Sequence, residues 1–218
     1  MTENQRRLFL RGMAAGAVGG LTARVQQALA ADAKPLPQGL VKWSSEVSVN
    51  GKLVREGAPI APGDVVETGS VAHAIYVVGN NAFVQRPNSR VDFGDTAAAS
   101  FLRVVTGGLL SVFGKGRRQL ALPVATIGIR GTGCYIETDE RKAYFCLCFG
   151  AVDLQPVKGQ PLEFQTTHHE KPLWIEDGTM TPATVVNHTD AEIIMLEALV
   201  GRRSPFPARK SEIGRAHV

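Results

Sequence analysis

The three cysteines of the chain, Cys134, Cys146 and Cys148, lie close together in the sequence. Alternating apolar residues flank a charged stretch at residues 139–142, which predicts two antiparallel strands joined by a short turn. All three cysteines would then belong to one β-hairpin.

The register of this hairpin decides how many thiols share a face. Residues two apart on a strand point the same way, so Cys146 and Cys148 lie together. A loop with an odd number of residues adds Cys134 to that face. A loop with an even number places Cys134 opposite Leu147, pointing away, so the hairpin presents either two or three thiols together.

One interpretation of the hairpin is a metal site. Thiolates and one imidazole form a tetrahedral, soft ligand set that suits zinc, with copper or iron as alternatives. Candidate imidazoles are His168, His169 and, before the last predicted element, His188. If His168 and His169 lie on a strand they face opposite ways, so only one of them would ligate. The predicted metal residues are Cys134, Cys146, Cys148, His168 and His169.

A disulfide and a purely structural role are the alternatives. In an oxidising compartment Cys134 would pair with Cys146 or Cys148 and leave one thiol free. A bridge between Cys146 and Cys148 is disfavoured, because extended i and i+2 positions lie too far apart. Without either role, the cysteines would pack as small apolar residues. The residues leave these alternatives open.

The N-terminal region has the features of an export signal. Arg6 and Arg7 precede a Gly/Ala-rich apolar run at residues 12–21, and small residues precede cleavage sites after Ala30 or Ala33. This pattern resembles a twin-arginine signal, so we expect a periplasmic protein. The apolar run is too short for a hydrocarbon layer of about 30 Å, so no membrane span is expected in the mature chain. Because this route carries folded proteins, it slightly favours a metal at the cysteines.

The charge of the chain gives no reason to expect a nucleic-acid partner. The net charge is +4, from 24 basic and 20 acidic residues. Residues 1–30 hold four arginines and one glutamate, which leaves 20 basic and 19 acidic residues in the remainder. A net charge of +1 outside the signal is no footprint for a polyanion.

Short apolar segments separated by turns, such as the Asn50-Gly51 turn, predict an all-β fold. We expect a β-sandwich or short β-roll of many short strands. Near the end, Thr189 and Glu192 form a capping box before apolar residues at helical spacing, and Gly201 terminates the pattern. One C-terminal helix should therefore dock on the β-domain.

The expected organisation has five segments. They are an export signal (1–33), a linker (34–40), a β-domain (41–188), a helix (189–201) and a tail (202–218), of which 212–218 resemble a translated sequencing adapter.

Several of these motifs resemble the FecR-domain family of periplasmic regulators, over residues 41–154. The most specific is the stretch 123–132, which reads Pro-Val-Ala-Thr-Ile-Gly-Ile-Arg-Gly-Thr. Weaker matches are Val49-Asn50-Gly51, Gly63-Asp64, Thr68-Gly69, Pro87-Asn88-Ser89 and Gly107-Gly108-Leu109-Leu110. The resemblance implies an all-β periplasmic domain that senses or binds something, without catalysis. The cysteine hairpin lies outside this pattern, and an anti-sigma segment before the β-domain is not expected, which suggests a stand-alone exported member.

The glycines around Arg130 do not predict a phosphate loop, because a strand and not a helix follows them. They favour a bulge, and Arg130 is expected as a structural guanidinium inside the roll, with an anion ligand as the alternative. No pair of acids or nucleophile motif indicates an enzyme. We therefore expect a non-catalytic FecR-like ligand-binding protein, with a metal ion and an unknown envelope protein or small ligand as partners. The alternative is a disulfide-stapled structural module that recognises a protein or glycan.

Overall fold

The computed structural model describes residues 38–94 and 101–206. The predicted export signal and the adapter-like C-terminus lie outside them. The strands in the described part are β1 (Gly39–Ser44), β2 (Val47–Val49), β3 (Lys52–Leu53), β4 (Val65–Thr68), β5 (His73–Val78), β6 (Asn81–Gln85), β7 (Arg90–Phe93), β8 (Phe101–Val112), β9 (Arg117–Ala121), β10 (Ala125–Thr138), β11 (Lys142–Pro156), β12 (Leu162–Thr166), β13 (Leu173–Glu176) and β14 (Thr179–Pro182). One helix, α1 (Asp190–Leu199), completes the described elements.

These strands form one hydrogen-bonded network, which confirms the predicted all-β fold with a single helix near the C-terminus. The main path runs β14-β13-β11-β10-β9-β8-β7-β4-β2-β3, and β1, β5 and β6 join it through β8. Pairing is antiparallel throughout the network except between β8 and β9. No helix in the described ranges is long and apolar enough to cross a membrane.

Two glycine motifs lie inside long strands and do not end them. Gly107 lies inside the single strand β8 and has a φ of +81°. A Cβ there would lie 2.1 Å from Ser89 Oγ, so only glycine fits. In β10 the register shifts between Arg130 and Gly133, with Gly131 at a φ of +56°, as the bulge prediction requires.

The sheet separates two buried cores. The first core holds Cys134, Ile136 and Leu147, together with apolar residues from strands along the whole network. The helix-side core holds Tyr135, Cys146, Cys148 and the apolar face of α1. Alternate residues of β10 and β11 therefore face different cores, as the period of a strand dictates.

The capping box of α1 forms as predicted. Thr189 Oγ1 accepts a hydrogen bond from the Glu192 amide, and the Thr189 amide donates to Glu192 Oε2 at 3.0 Å. Arg86 anchors this end of the helix, because its guanidinium contacts Glu192 Oε1 at 2.8 Å and donates to the Asn187 carbonyl at 2.6 Å. The start of α1 is thereby held against β6.

Candidate metal centre

The hairpin of β10 and β11 has the even loop. Thr138 pairs with Ala143, and the carboxylate of Asp139 accepts hydrogen bonds from the amides of Arg141 and Lys142 across the turn. Cys134 consequently pairs with Leu147, which places its side chain on the face opposite to Cys146 and Cys148.

The structure therefore does not bring Cys134 to the other two sulfurs. Cys134 is fully buried in the first core, and this burial, with a smaller effect of Cys146, raises the pKa of its thiol. A thiol in this environment behaves as a small apolar side chain. The register turns its side chain away from the other residues of the predicted metal set.

His169 reaches the sulfurs because its backbone leaves the strand conformation. The residue follows β12 and has a φ of +54°, and its amide donates to the Cys148 carbonyl at 3.1 Å. Its Nδ1 lies 3.5 Å from Cys146 Sγ. Since His168 and His169 do not lie on a strand, the expectation that they face opposite ways does not apply.

His188 enters the same space from the segment before α1. Its Nδ1 lies 2.6 Å from the Val186 carbonyl, which can only accept, so Nδ1 carries the proton. The neutral ring then has its lone pair at Nε2, which lies 3.1 Å from Nδ1 of His169. The ring also stacks on Tyr135 at 4.9 Å. His188 thus presents a fixed, metal-competent nitrogen.

Four potential ligands, Cys146, Cys148, His169 and His188, converge here; we call them the buried group. One ligand atom from each lies within 4.8 Å of all the others. Metal–sulfur and metal–nitrogen bonds to zinc imply ligand separations of roughly 3.3–3.8 Å in a tetrahedron. Small side-chain movements would therefore complete a Cys₂His₂ site for zinc or another thiophilic ion.

The two thiols of the buried group ionise differently. The neighbouring Cys148 thiol, followed by His169 and His188, holds the pKa of Cys146 well below its usual value despite burial. Burial, with the Cys146 charge, raises the pKa of Cys148. Burial lowers the pKa of His169, but its contacts with Cys146 and Asp190 outweigh this and leave it raised. The arrangement is that of one thiolate held among imidazoles.

A second, outer group shares His169 with the first and adds His168 and Asp190. His169 Nε2 lies 3.1 Å from Asp190 Oδ1, and His168 Nε2 lies 3.0 Å from both Asp190 oxygens. Phe206 covers both imidazoles, with ring centroids at 4.6 Å from His168 and 5.3 Å from His169. The predicted ligand His168 thus belongs to the outer group and not to the thiols.

One predicted role and one residue that was not predicted can be compared with this geometry. Arg130, expected as a structural guanidinium, is exposed on β10 beside Arg117 of β9, so that interpretation was wrong. Asp190 did not enter the predicted site at all. The signal was present, since Asp190 lies two residues after the candidate ligand His188, but the capping box accounted for Asp190 without any ligand role.

Comparison with known proteins yields a likeness of fold alone. No protein-family model matches the chain, and no curated protein matches it significantly. Two crystal structures from Parabacteroides distasonis ATCC 8503, described as those of a candidate anti-sigma factor, are similar, with TM-scores of 0.48 and 0.47 at 6% identity. Each match covers 55% of this chain and 58% of the other. The chain thus spans little more than half of these proteins, and membership of the FecR-domain family stays a prediction.

Proposed function

We propose that this protein is a non-catalytic, FecR-like sensory or accessory protein of the periplasm that binds one thiophilic metal ion through Cys146, Cys148, His169 and His188. The FecR-like part rests on the sequence motifs, foremost residues 123–132, and export rests on the N-terminal pattern. The metal part rests on the geometry of the buried group.

A single contact carries the metal proposal. Nδ1 of His169 and Nε2 of His188 lie 3.1 Å apart. The other nitrogen of each ring faces an oxygen that accepts, Asp190 Oδ1 for His169 and the Val186 carbonyl for His188. In neutral rings both facing nitrogens then carry lone pairs, which repel unless a cation or a proton lies between them.

The neighbouring sulfurs favour a metal ion as that cation. A thiolate at Cys146, with Cys148 two residues along the same strand, adds soft donors on the same side of the imidazoles. Zinc and monovalent copper prefer such sulfur–nitrogen sets, whereas magnesium and calcium prefer oxygen. The hydrogen bonds at the far nitrogens are the outer contacts that orient ligating histidines in metalloproteins.

The disulfide-stapled alternative has weaker support. Cys134 belongs to the first core and the other two cysteines to the helix-side core, so a bridge would have to cross the sheet. Cys146 and Cys148 are i and i+2 on the extended strand β11. None of the three possible pairs has the geometry that a disulfide needs.

Cys146, His169 and Asp190 also have the order of a thiol-hydrolase triad: a nucleophile, a base and an orienting acid. Cys146 is fully buried, and Cys148 and His188 lie close to its sulfur. A nucleophile needs space for a substrate carbonyl beside the sulfur. We therefore favour a ligand role for Cys146.

Elemental analysis of protein purified without chelators tests the proposal. We expect one equivalent of a thiophilic metal in the buried group, retained in Cys134→Ser and lost in Cys146→Ser. Protein that contains no such metal, and does not take up Zn²⁺ or Cu⁺ under reducing conditions, would contradict the proposal. Rapid stoichiometric acylation of Cys146 by an activated ester would instead support the hydrolase alternative.

A further inference from the structure

His169 has two ring nitrogens that face two different groups. Nδ1 faces Cys146 at 3.5 Å and His188 at 3.1 Å, inside the helix-side core. Nε2 faces Asp190 at 3.1 Å, on the side where His168 lies. One imidazole therefore connects a buried set of donors with a more exposed one.

The outer group is itself a set of metal donors. Its three ligand atoms lie within 4.8 Å of one another, with side-chain exposures of 50% for His168, 8% for His169 and 26% for Asp190. His168 directs Nε2 midway between the two oxygens of Asp190, at 3.0 Å from each. Two imidazoles and one carboxylate, with one side open to water, suit zinc, divalent copper or nickel.

The backbone that brings His168 and His169 towards Asp190 is held in an unfavourable conformation. His169 is held in the left-handed region, at a φ of +54°, which is unfavourable for a residue with a side chain. This turn puts the rings of His168 and His169 on the same side of the loop. Phe206, only 6% exposed, packs on both rings and limits their rotation. If Asp190 only oriented His169, neither the imidazole of His168 nor the packing of Phe206 on that ring would be required.

We propose that His168, His169 and Asp190 bind a second metal ion, and that His169 bridges this ion and the one in the buried group. The inference rests on the proposed function, since the bridge requires an ion among the cysteines. Binding of the second ion displaces the Nε2 proton of His169 to solvent, and the resulting imidazolate shares its charge between the two cations. The buried metal position is enclosed by protein and has soft sulfur donors, whereas the outer metal position keeps room for water or an exchanging ligand.

Titration of the metal-free, reduced protein with Co²⁺ under anaerobic conditions tests the inference. Cobalt bound to thiolates has a strong near-ultraviolet charge-transfer band, and cobalt bound to nitrogen and oxygen lacks it. We expect the band to saturate with one equivalent and a second equivalent to add only weak visible bands. A bridged pair should also show magnetic coupling between the two ions, which independent sites would not show.

Variants assign each equivalent to its group. His168→Ala and Asp190→Asn should weaken the second equivalent by more than about 100-fold, beyond the effect expected of an outer-shell partner, and leave the charge-transfer band. The control Glu170→Gln, which changes a neighbouring carboxylate bound to Thr167, should keep both equivalents.

The outcomes separate the inference from the proposed function. One equivalent with the thiolate band, unchanged in His168→Ala, overturns the second site and leaves the proposed function intact. One equivalent without that band, lost in His168→Ala, overturns the buried site and supports the outer group as an independent site. Two equivalents without magnetic coupling overturn the bridge by His169.

Discussion

The two faces of the hairpin formed by β10 and β11 use the same strands for different purposes. On one face, Cys134 packs with Ile136 and Leu147 in the first core. On the other face, Cys146 and Cys148 lie beside His169, from the segment before β13, and His188, from the segment before α1. All three cysteines are fully buried. Burial therefore does not distinguish a structural cysteine from a candidate metal ligand. The side chains that pack against the cysteine make that distinction.

Removal of the metal should have the largest effect on the free energy of unfolding. The effect should depend on the face that holds Cys146 and not on the face that holds Cys134. At a free metal concentration 1,000 times the Kd, binding to the folded state alone adds about 4 kcal/mol to the free energy of unfolding. We expect this gain for the wild type and for Cys134→Ser, but not for Cys146→Ser. Thermal unfolding with and without added Zn²⁺ measures it. An equal gain in Cys146→Ser would remove the distinction between the faces.

The segment that carries His188 and Asp190 is held in place by the polar side chain of Arg86, which is not part of the first core. Arg86 is 15% exposed and binds both Glu192 and the Asn187 carbonyl. Arg86→Met should cost about 1.5–3 kcal/mol of unfolding free energy, because hydrogen bonds to charged groups are lost.

The exposed pair of Arg90 and Glu67 provides a matched control. Arg90→Met should cost no more than about 1 kcal/mol. Chemical denaturation compares the two variants, and zinc competition should show weaker binding only in Arg86→Met. Equal zinc affinity in both variants would separate the anchor from the metal centre.

Serine substitutions compare the faces directly in metal-free protein. Cys134→Ser buries a hydroxyl among apolar side chains, which should cost about 1–3 kcal/mol. Cys146→Ser should cost less, because His169 and His188 offer hydrogen-bond partners within the buried group. Denaturant titrations in the presence of a chelator measure both. A larger loss in Cys146→Ser would mean that the helix-side core depends on the sulfur for packing.

The fold could be predicted from the sequence where local rules act. The Asn50-Gly51 turn, the succession of many short strands and the capped helix all appear as expected. β13 and β14 lack such a local signal, since their short mixed sequences acquire strand structure only by pairing with β11 and with each other.

The candidate site was predicted only in part, for a different physical reason. The shared face of Cys146 and Cys148 follows from strand periodicity. The exclusion of Cys134 depends on a loop closed by Asp139, and the position of His169 depends on one left-handed residue. Neither a register nor a single positive φ is encoded in the hydrophobic pattern, so the ligand set required the structure.

A buried carboxylate marks the helix-side face and gives the smallest expected effect. Among the described residues, Glu197 of α1 is the one buried acid, and it contacts Arg202 Nε at 2.5 Å. Burial raises the pKa of Glu197, with Arg202 opposing. The folded protein therefore binds this proton more tightly than the unfolded chain does. The resulting stability is fully present below the unfolded pKa of about 4.3 and is lost as the pH rises through the folded value.

Glu197→Gln removes this titration. We expect the melting temperature of the metal-free wild type, relative to Glu197→Gln, to fall as the pH rises from about 4 towards neutrality. Exposed Glu163 on β12 supplies the control, and Glu163→Gln should leave the wild-type profile unchanged. A difference between wild type and Glu197→Gln that stays constant over this range would mean that Arg202 fully compensates the burial. Burial of Glu197 would then add no pH dependence to the stability of the helix-side face.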